Sequence, residues 1–426
     1  MLTEEITLPR LAILMPEYPG PSQTFIRRDV AALRELGAHT EIFSTRRPET
    51  LARGWGPAAE AETTYLTEIN HRALFALPRG LMRLPFKALV GTALIDGKNG
   101  LRDLLLAIPL AAQLSAECRK RHLHHIHAHM SSRAATVAAL ASHMTGLPYS
   151  ITLHGDILHY GRNQRINWSH PAFGIAVSSG LIDGLNRAIF PARPKPMVVQ
   201  PMGVDTETFT RSSPYRPRQQ DEPLRLFSCG RINSGKGHDV MITALARLVA
   251  EGEDAYLEIA GAAGKGQAAY AQRLRALIDD LGVSSRVTML GAYTEHEVHA
   301  ALLRSHIFVL ASRSEGLGMV YVEALACAVP TVGTRVGGVP DVLVDEVTGL
   351  LVPPDNPGAL ATAILRISRD PDLALRLSAA GREWAVTRFD VRGSARALLR
   401  HAFPEWAVQV GICLLYTSDA ADEGLG

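Results

Sequence analysis

The chain has 426 residues, 47% of them hydrophobic and 20% charged, and a formal net charge of +2, which describes an ordinary globular protein. At about 150 residues per domain, this length predicts two or three domains. The four cysteines have no paired spacing, which argues against a disulfide framework or a zinc site and favours a reducing, cytoplasmic location. The first ten residues lack the pattern of a signal peptide, and no apolar run approaches the roughly 20 residues that span a bilayer.

The C-terminal tail differs in character from the rest of the chain. Its run CLLYTSDAADE, Cys413–Glu423, resembles a translated sequencing adapter. We therefore expect residues 412–426 to be an adapter-derived scar with no part in the fold. Without the three acids of this tail the net charge becomes +5, which suits anionic substrates or a membrane surface.

The first half of the chain alternates between strand-like and helical patterns. The apolar run Leu11–Met15 predicts a strand, Ser22 the N-cap of a helix that ends at Gly37, and Glu41–Thr45 a second strand. This order is a βαβ unit, whose repetition indicates a parallel sheet covered on both faces. Further strands are predicted at 125–129, 149–154, 174–179 and 198–204.

The alternation stops in a polar, proline-containing stretch and then restarts. We predict an N-terminal Rossmann-like domain over 1–205, a linker over 206–223 and a second Rossmann-like domain over 224–384. Helices over 385–411 would follow and cross back to the first domain. The fold class is therefore α/β, with two doubly wound domains facing each other across a cleft. Strands of the second domain are predicted at 224–230, 255–261, 287–291, 307–312, 331–334 and 349–354.

Ligands of doubly wound sheets bind beyond the carboxyl ends of the strands. One such loop, GRINSGKG (Gly230–Gly237), combines flexible glycines, a helix N-terminus and the cations Arg231 and Lys236, which together favour a diphosphate. The loop nearly matches a Walker A motif, but Gly237 stands where the magnesium-binding Ser or Thr is needed. A glycine-rich turn with solvated cations is the alternative.

A second group of residues surrounds two glutamates. Glu315 lies in a glycine-flanked loop after a predicted strand, and Glu323 follows eight positions later inside an apolar helix. A carboxylate is costly to bury without partners, and sugar or ribose hydroxyls would supply them. A structural glutamate that only caps backbone N–H groups is equally compatible with the helix.

Taken together, Glu315, Glu323, GRINSGKG, VGGVPD and TGLLVPPDNP resemble the retaining glycosyltransferases of family 4, which have the GT-B fold. The resemblance covers residues 8–400. The segment EYPGPSQTFIRRDVAAL is similar to the subgroup that builds bacterial exopolysaccharides and lipid-linked glycans. The resemblance implies transfer of a hexose-type sugar from a nucleoside-diphosphate sugar to a glycan or polyprenyl-linked acceptor. It implies no cofactor, no metal and no nucleic-acid partner.

The resemblance also implies roles for individual residues. Arg231 and Lys236 would hold the donor diphosphate, Glu315 and His154 would contact the transferred sugar, and Glu323 would accept from the ribose hydroxyls. The remaining donor-site positions are Gly230, Gly316, Leu317 and Gly318, and the first loop would meet phosphates or acceptor through Gly20, Ser22 and Gln23. The chain departs from the family in its single Gly20, in Ala328 and in Asp341, where a glycine pair, glycine and glutamate are usual.

The implied reaction is the departure of a nucleoside diphosphate from an anomeric carbon with oxocarbenium character. Arg231, Lys236 and a helix dipole would stabilise the charge on the leaving phosphate without a metal ion. The acceptor hydroxyl would attack the face that the leaving group vacates, with retention of configuration.

Two weaker patterns concern other partners. Arg72, Arg79, Arg83 and Lys87 fall on one helical face of residues 71–90, although Pro78 and Pro85 interrupt it. This pattern fits an interfacial helix on an anionic membrane, at the inner face of the plasma membrane. A solvated helix packed on its own domain is the more ordinary interpretation. The histidine cluster at 122–129 invites a metal site, but alternation along a strand divides it between two faces.

Three other functions remain open from the sequence. A P-loop ATPase would need Ser or Thr at position 237 and a downstream magnesium-binding aspartate. A nucleotide-sugar epimerase or sugar phosphorylase can share the fold, and a non-catalytic protein could bind nucleotide sugars with the same residues.

Overall fold

The structure, a computed structural model, describes residues 8–189 and 196–412 and contains two parallel β-sheets in two α/β domains. The prediction of an α/β fold with two doubly wound domains is therefore confirmed. Residues 413–426 of the adapter-like tail lie outside the described residues.

The N-terminal sheet has seven parallel strands in the order β3-β2-β1-β4-β5-β6-β7. Its strands are β1 (Arg10–Met15), β2 (His39–Ser44), β3 (Thr63–Tyr65), β4 (His125–His129), β5 (Tyr149–Leu153), β6 (Phe173–Ala176) and β7 (Met197–Val199). The helices of this half are α1 (Thr24–Glu35), α2 (Gly56–Glu62), α3 (His71–Leu81), α4 (Phe86–Lys120), α5 (Arg133–Thr145), α6 (Gln164–Asn167) and α7 (Ser179–Ile189). All five residues of β4 and of β5 are buried, as expected of strands in a sheet with helices on both faces.

The C-terminal sheet has six parallel strands in the order β10-β9-β8-β11-β12-β13. Its strands are β8 (Leu224–Cys229), β9 (Ala255–Ala260), β10 (Val287–Gly291), β11 (Ile307–Leu310), β12 (Thr331–Thr334) and β13 (Leu350–Val352). The helices are α8 (His238–Ala250), α9 (Ala268–Asp280), α10 (Glu295–Arg304), α11 (Met319–Ala326), α12 (Val339–Val342), α13 (Pro357–Arg369), α14 (Pro371–Arg388), α15 (Val391–Ala402) and α16 (Pro404–Gln409).

The chain passes between the domains twice, and the two crossings touch. Val204 and Asp390 form a parallel β-bridge, in which the Val204 N–H donates to the Phe389 carbonyl at 2.8 Å. Beyond this bridge, α15 packs against α1, and its Leu398 and Leu399 are buried in a cluster with Ile26 of α1. The C-terminal helices thus complete the core of the N-terminal domain.

Two local predictions from the sequence are wrong. Helix α1 begins at Thr24 with Gln23 at the N-cap position and no side-chain cap, so Ser22 is not the cap. The segment 71–90 is not one helical face, because α3 ends at Leu81 and α4 begins at Phe86, after Pro85. A proline constrains the residue before it away from the helical region, which explains the break.

Helix α11 ends on a residue that carries a backbone penalty. Ala328 has a φ of +54°, and the Ala328 N–H donates to Leu325 O and the Val329 N–H to Ala324 O. This is the hydrogen-bond pattern of a helix end that usually takes glycine. A non-glycine residue in the left-handed region costs roughly 1–2 kcal/mol.

We expect Ala328→Gly to raise the free energy of unfolding by about 1 kcal/mol, since glycine removes this penalty. Chemical denaturation monitored by circular dichroism measures the change. As the matched control, Ala324→Gly inside the same helix should lower the free energy by about as much. A loss of stability in the Ala328 variant would contradict the prediction.

Candidate functional site

Each sheet has one point at which the order of its strands reverses, and the candidate loops lie at these two points. In the N-terminal sheet this point lies between β1 and β4, and in the C-terminal sheet between β8 and β11. The first loop follows β1, the loop Gly230–Gly237 follows β8, and the loop with Glu315 follows β11. Ligands of doubly wound folds bind at such reversals.

The loop after β8 is packed tightly against the loop after β11. Gly237 has a φ of +64°, and a Cβ there would lie 1.9 Å from the Ala311 carbonyl oxygen. The Arg313 backbone N–H donates to the carbonyl of Gly235 in the same loop at 2.8 Å. Its guanidinium donates to the carboxylate of Asp239, in the first turn of α8, at 2.7 and 2.9 Å. The position that a Walker A motif gives to Ser or Thr therefore has no room for a side chain.

Lys236 and Glu315, predicted separately from the two loops, are brought together. Lys236 Nζ donates to Glu315 Oε2, which also accepts from Ser312 Oγ at 3.0 Å. Both side chains are largely covered, with 16% of Lys236 and 12% of Glu315 exposed. A lysine has three N–H donors, so Lys236 can hold Glu315 and a phosphate oxygen together.

Arg231 is arranged differently from Lys236. It is exposed, and within the described residues no hydrogen bond or ion pair engages its guanidinium. Gly230 lies against the Lys236 side chain, since a Cβ at Gly230 would be 3.5 Å from Lys236 Cδ. The loop thus presents one cation held in place and one free in solvent.

The first glycine after Glu315, Gly316, contacts the opposite domain. A Cβ on Gly316 would lie 2.0 Å from the His154 carbonyl oxygen, and the Gly316 carbonyl accepts from Ser178 Oγ at 2.8 Å. Leu317 is buried, and Gly318, with a φ of +90°, occupies the N-cap position of α11. The absence of a side chain at Gly316 therefore lets the backbones of the two domains come into contact beside Glu315.

His154 follows β5 and is supported from behind by other side chains. Its Nε2 lies 3.0 Å from Nδ1 of His129, and its ring centroid lies 4.9 Å from that of Phe25. Burial lowers the pKa of His154 well below its ordinary value, and His129 contributes to the shift. His154 is therefore neutral at pH 7 and can hydrogen-bond a hydroxyl, but it supplies no positive charge.

The support of His154 continues into α1 and α15. His129 Nε2 lies 4.0 Å from Asp29 Oδ2, and Asp29 Oδ1 accepts from Ser394 Oγ at 2.6 Å. Burial raises the pKa of Asp29 to about 6, against the effect of the Ser394 hydrogen bond. Asp29, His129 and Ser394 are all buried, so this row of polar groups links the crossing helix α15 to the edge of the cleft.

Glu323 of α11 pairs with the opposite domain. Its Oε1 accepts from Arg28 Nη2 at 2.8 Å, and Arg28 Nε donates to Glu295 Oε1 at 2.7 Å. Burial raises the pKa of the Glu323 carboxyl, and the charge and hydrogen bond of Arg28 oppose that rise. An arginine of α1 therefore reaches a predicted donor-site carboxylate.

The residues predicted in the first loop are mostly engaged within it. Gly20 N–H donates to Gln23 Oε1 at 2.7 Å, and Gln23 Nε2 donates to Glu17 O. Gln23 is 7% exposed, whereas Ser22 is exposed. Both ends of the Gln23 amide thus brace the loop, and Ser22 is the more exposed of the two side chains.

The cluster of histidines and the unusual Asp341 have structural partners. His125 Nε2 and His127 Nδ1 lie 2.7 and 2.8 Å from Ser150 Oγ. No group of three or more His, Cys, Asp or Glu side chains within residues 8–189 and 196–412 is placed to hold a metal ion.

Asp341 Oδ2 accepts from the Ser179 backbone N–H at 2.7 Å, so this departure from the family pattern forms a contact between the domains.

Sequence reasoning missed Arg28, Asp29 and Arg313. One signal could have found Asp29: with Ile26, Val30 and Leu33 it occupies the spacing of the buried stripe of α1, where a charge needs a partner. No comparable pattern marks Arg28 or Arg313, because their partners are far away in sequence.

The chain is similar in sequence and fold to known glycosyltransferases. Residues 213–384 match the family model described as Glycosyl transferases group 1. The chain is 32% identical over 205 residues to the GDP-mannose-dependent alpha-(1-6)-phosphatidylinositol monomannoside mannosyltransferase of Mycolicibacterium smegmatis, covering 45% of this chain and 52% of that protein. The chain thus spans about half the length of this mannosyltransferase and of several other curated relatives that it matches.

Two further proteins are similar over most of their length. The putative colanic acid biosynthesis glycosyltransferase WcaL of Salmonella typhimurium is 26% identical over 418 residues, covering 91% of this chain and 98% of that protein. The crystal structure of Anabaena Alr3699/HepE in complex with UDP and glucose superposes with a TM-score of 0.71 at 18% identity, covering 92% of this chain and 98% of that one. The chain therefore has the GT-B fold, and its residues 213–384 are similar to the glycosyl transferases group 1 model.

Proposed function

We propose that the protein is a retaining, metal-independent glycosyltransferase that moves a hexose-type sugar from a nucleoside-diphosphate sugar to a glycan or lipid-linked acceptor. The observation that carries the proposal is the Lys236–Glu315 pair, at the point where the strand order of the C-terminal sheet reverses. Beside this pair, Gly316 contacts the backbone of His154 in the other domain. The named activities of the mannosyltransferase and WcaL relatives support the same class of reaction.

The proposed roles follow from these positions. Lys236 and Arg231 stabilise the charge that develops on the leaving diphosphate, aided by the positive end of the α8 dipole. Glu315 and the neutral His154 orient the transferred sugar, and Glu323 accepts hydrogen bonds from the ribose. The similarity to WcaL along almost its entire length supports a place in exopolysaccharide or cell-surface glycan synthesis.

Incubation with a panel of UDP-, GDP- and ADP-sugars plus candidate acceptors tests the proposal, with products identified by mass spectrometry and nuclear magnetic resonance. We expect a new glycoside with the anomeric configuration of the donor, formed equally well in excess EDTA, since cations and backbone N–H groups replace a metal ion. An epimerised donor, phosphorolysis, or activity that requires added magnesium or manganese would contradict the proposal.

We also propose that the acceptor is met at an anionic membrane surface, on the inner face of the plasma membrane. Phe75, Met82 and Phe86 are 76–81% exposed on α3, its following turn and α4, and Arg72 and Arg79 are exposed beside them. Clusters of cations with large apolar side chains favour anionic interfaces. The side chain of Lys87 lies outside the described residues, and within the described chain no helix is long and apolar enough to cross a bilayer.

Flotation with phosphatidylglycerol vesicles tests the membrane proposal. We expect binding that high salt weakens and that the triple variant Phe75→Ser, Met82→Ser, Phe86→Ser loses, because burial of these side chains and attraction of the arginines act together. Val408→Ser, at a 73% exposed position of α16, is the matched control. Equal binding of the triple variant, or equal binding to phosphatidylcholine vesicles, would contradict the proposal.

A further inference from the structure

Arg28 is a buried cation whose partners all belong to other parts of the chain. It is 5% exposed, and its guanidinium lies 4.8 Å from the ring of Phe209. Its two carboxylate partners, Glu295 at the start of α10 and Glu323 in α11, are both in the C-terminal domain. Two carboxylates around one buried guanidinium satisfy its charge and several of its donors.

The contact leaves part of Glu323 available to a ligand. Arg28 occupies Oε1, and no described residue donates a hydrogen bond to Oε2. The Glu323 side chain is 13% exposed, so it is open to solvent despite its place in an apolar helix. An ionised carboxylate can accept about four hydrogen bonds, which leaves capacity for two ribose hydroxyls beside Arg28.

Arg28 also stabilises the ionised form of Glu323 against the effect of burial. Burial and the nearby Glu295 favour the protonated form of Glu323, whereas the charge and hydrogen bond of Arg28 favour the ionised form. A protonated carboxyl has lost part of its acceptor capacity. A ribose site built on Glu323 therefore depends on the arginine behind it.

We propose that Arg28 is a positioning residue of the donor site, which holds the Glu323 carboxyl group oriented toward the nucleotide ribose. The inference rests on the proposed function. Because Arg28 lies on α1 of the N-terminal domain, the ribose site is complete only when the two domains are in contact. Nucleotide binding and domain contact then stabilise each other by linkage.

The neighbouring Arg27 provides a matched control. Arg27 also donates to Glu295 and stacks at 5.6 Å on the ring of Trp55, so it links the same domains. Within the described residues it forms no ion pair with Glu323. Arg27→Gln therefore weakens the contact between the domains and leaves the Glu323 carboxylate with Arg28.

The test compares UDP and GDP with their 2′,3′-dideoxy forms by isothermal titration calorimetry. We expect the wild type to prefer the ribonucleotide by about 10- to 100-fold, because hydrogen bonds to a charged group discriminate by that amount. In Arg28→Gln this preference should fall to about threefold or less, with dideoxynucleotide affinity nearly unchanged. Arg28→Lys should restore part of the preference, and Arg27→Gln, which leaves the Arg28–Glu323 pair in place, should keep most of it.

The possible failures are distinguishable. Equal loss of affinity for both nucleotides in Arg28→Gln, or an unchanged preference in a folded Arg28 variant, would overturn the inference alone. If Arg28→Gln does not fold, a full wild-type preference in Arg28→Lys would also overturn it, because a single ammonium cannot reproduce two directed contacts. A wild type that binds neither nucleotide, nor ADP, CDP or dTDP, would overturn the proposed function as well.

Discussion

Replacement of Lys236 by alanine should lower the turnover number by about 100- to 1,000-fold, the usual effect of removing one donor from a preorganised anion site. The structure gives a reason for an effect at the upper end. Lys236 is the partner of the largely covered Glu315, so its loss leaves a carboxylate facing the donor diphosphate without a counter-charge. The variant removes an attraction and exposes a repulsion at the same place.

This double effect can be separated by a second substitution. In the variant Lys236→Ala/Glu315→Gln the uncompensated carboxylate is gone, so we expect nucleoside-diphosphate affinity to recover in part while turnover stays low. Arg366→Ala, which breaks an exposed ion pair with Glu346, is the control and should change the kinetics less than twofold. A folded Lys236→Ala variant with turnover within threefold of wild type would contradict the diphosphate role.

Glu315→Gln and Glu323→Gln should change different kinetic constants. Glu315 lies beside the cation that would meet the leaving group, so its loss should lower turnover by about 10- to 100-fold with little change in the donor KM. Glu323 lies beside Arg28, at the proposed ribose site, where nothing changes during the reaction. Its substitution should raise the donor KM about tenfold and leave turnover nearly intact.

Steady-state kinetics against donor concentration, with a melting curve for each variant, measures these differences. Glu323→Gln also weakens a buried ion pair between the domains, so its melting temperature should fall more than that of Glu315→Gln. Identical kinetic profiles would defeat this division of labour. A Glu323→Gln variant that loses stability and keeps wild-type kinetics would show that Glu323 serves only the fold.

The sequence by itself determined the two-domain α/β architecture. Apolar runs such as Leu11–Met15 and Ile307–Leu310, each followed by a turn and a helix, are local patterns that a parallel sheet requires. The same local chemistry marked Lys236 and Glu315, because glycines and charged residues after a buried strand lie at the edge where ligands bind. The single cationic face over 71–90 and the Ser22 cap of α1 were mispredicted, since neighbouring turns decide where these helices begin and end.

Only the tertiary structure decided which of these residues meet and what stands behind them. Arg28 and Glu323 are 295 positions apart, and Asp29 and Ser394 are 365 apart, so no local period connects them. Their contacts exist because α15 returns to pack on α1 and because the cleft brings α1 against α10 and α11. Buried charges need partners. A sequence can indicate that a charged residue will be buried, but the packing of distant helices decides which residue becomes its partner.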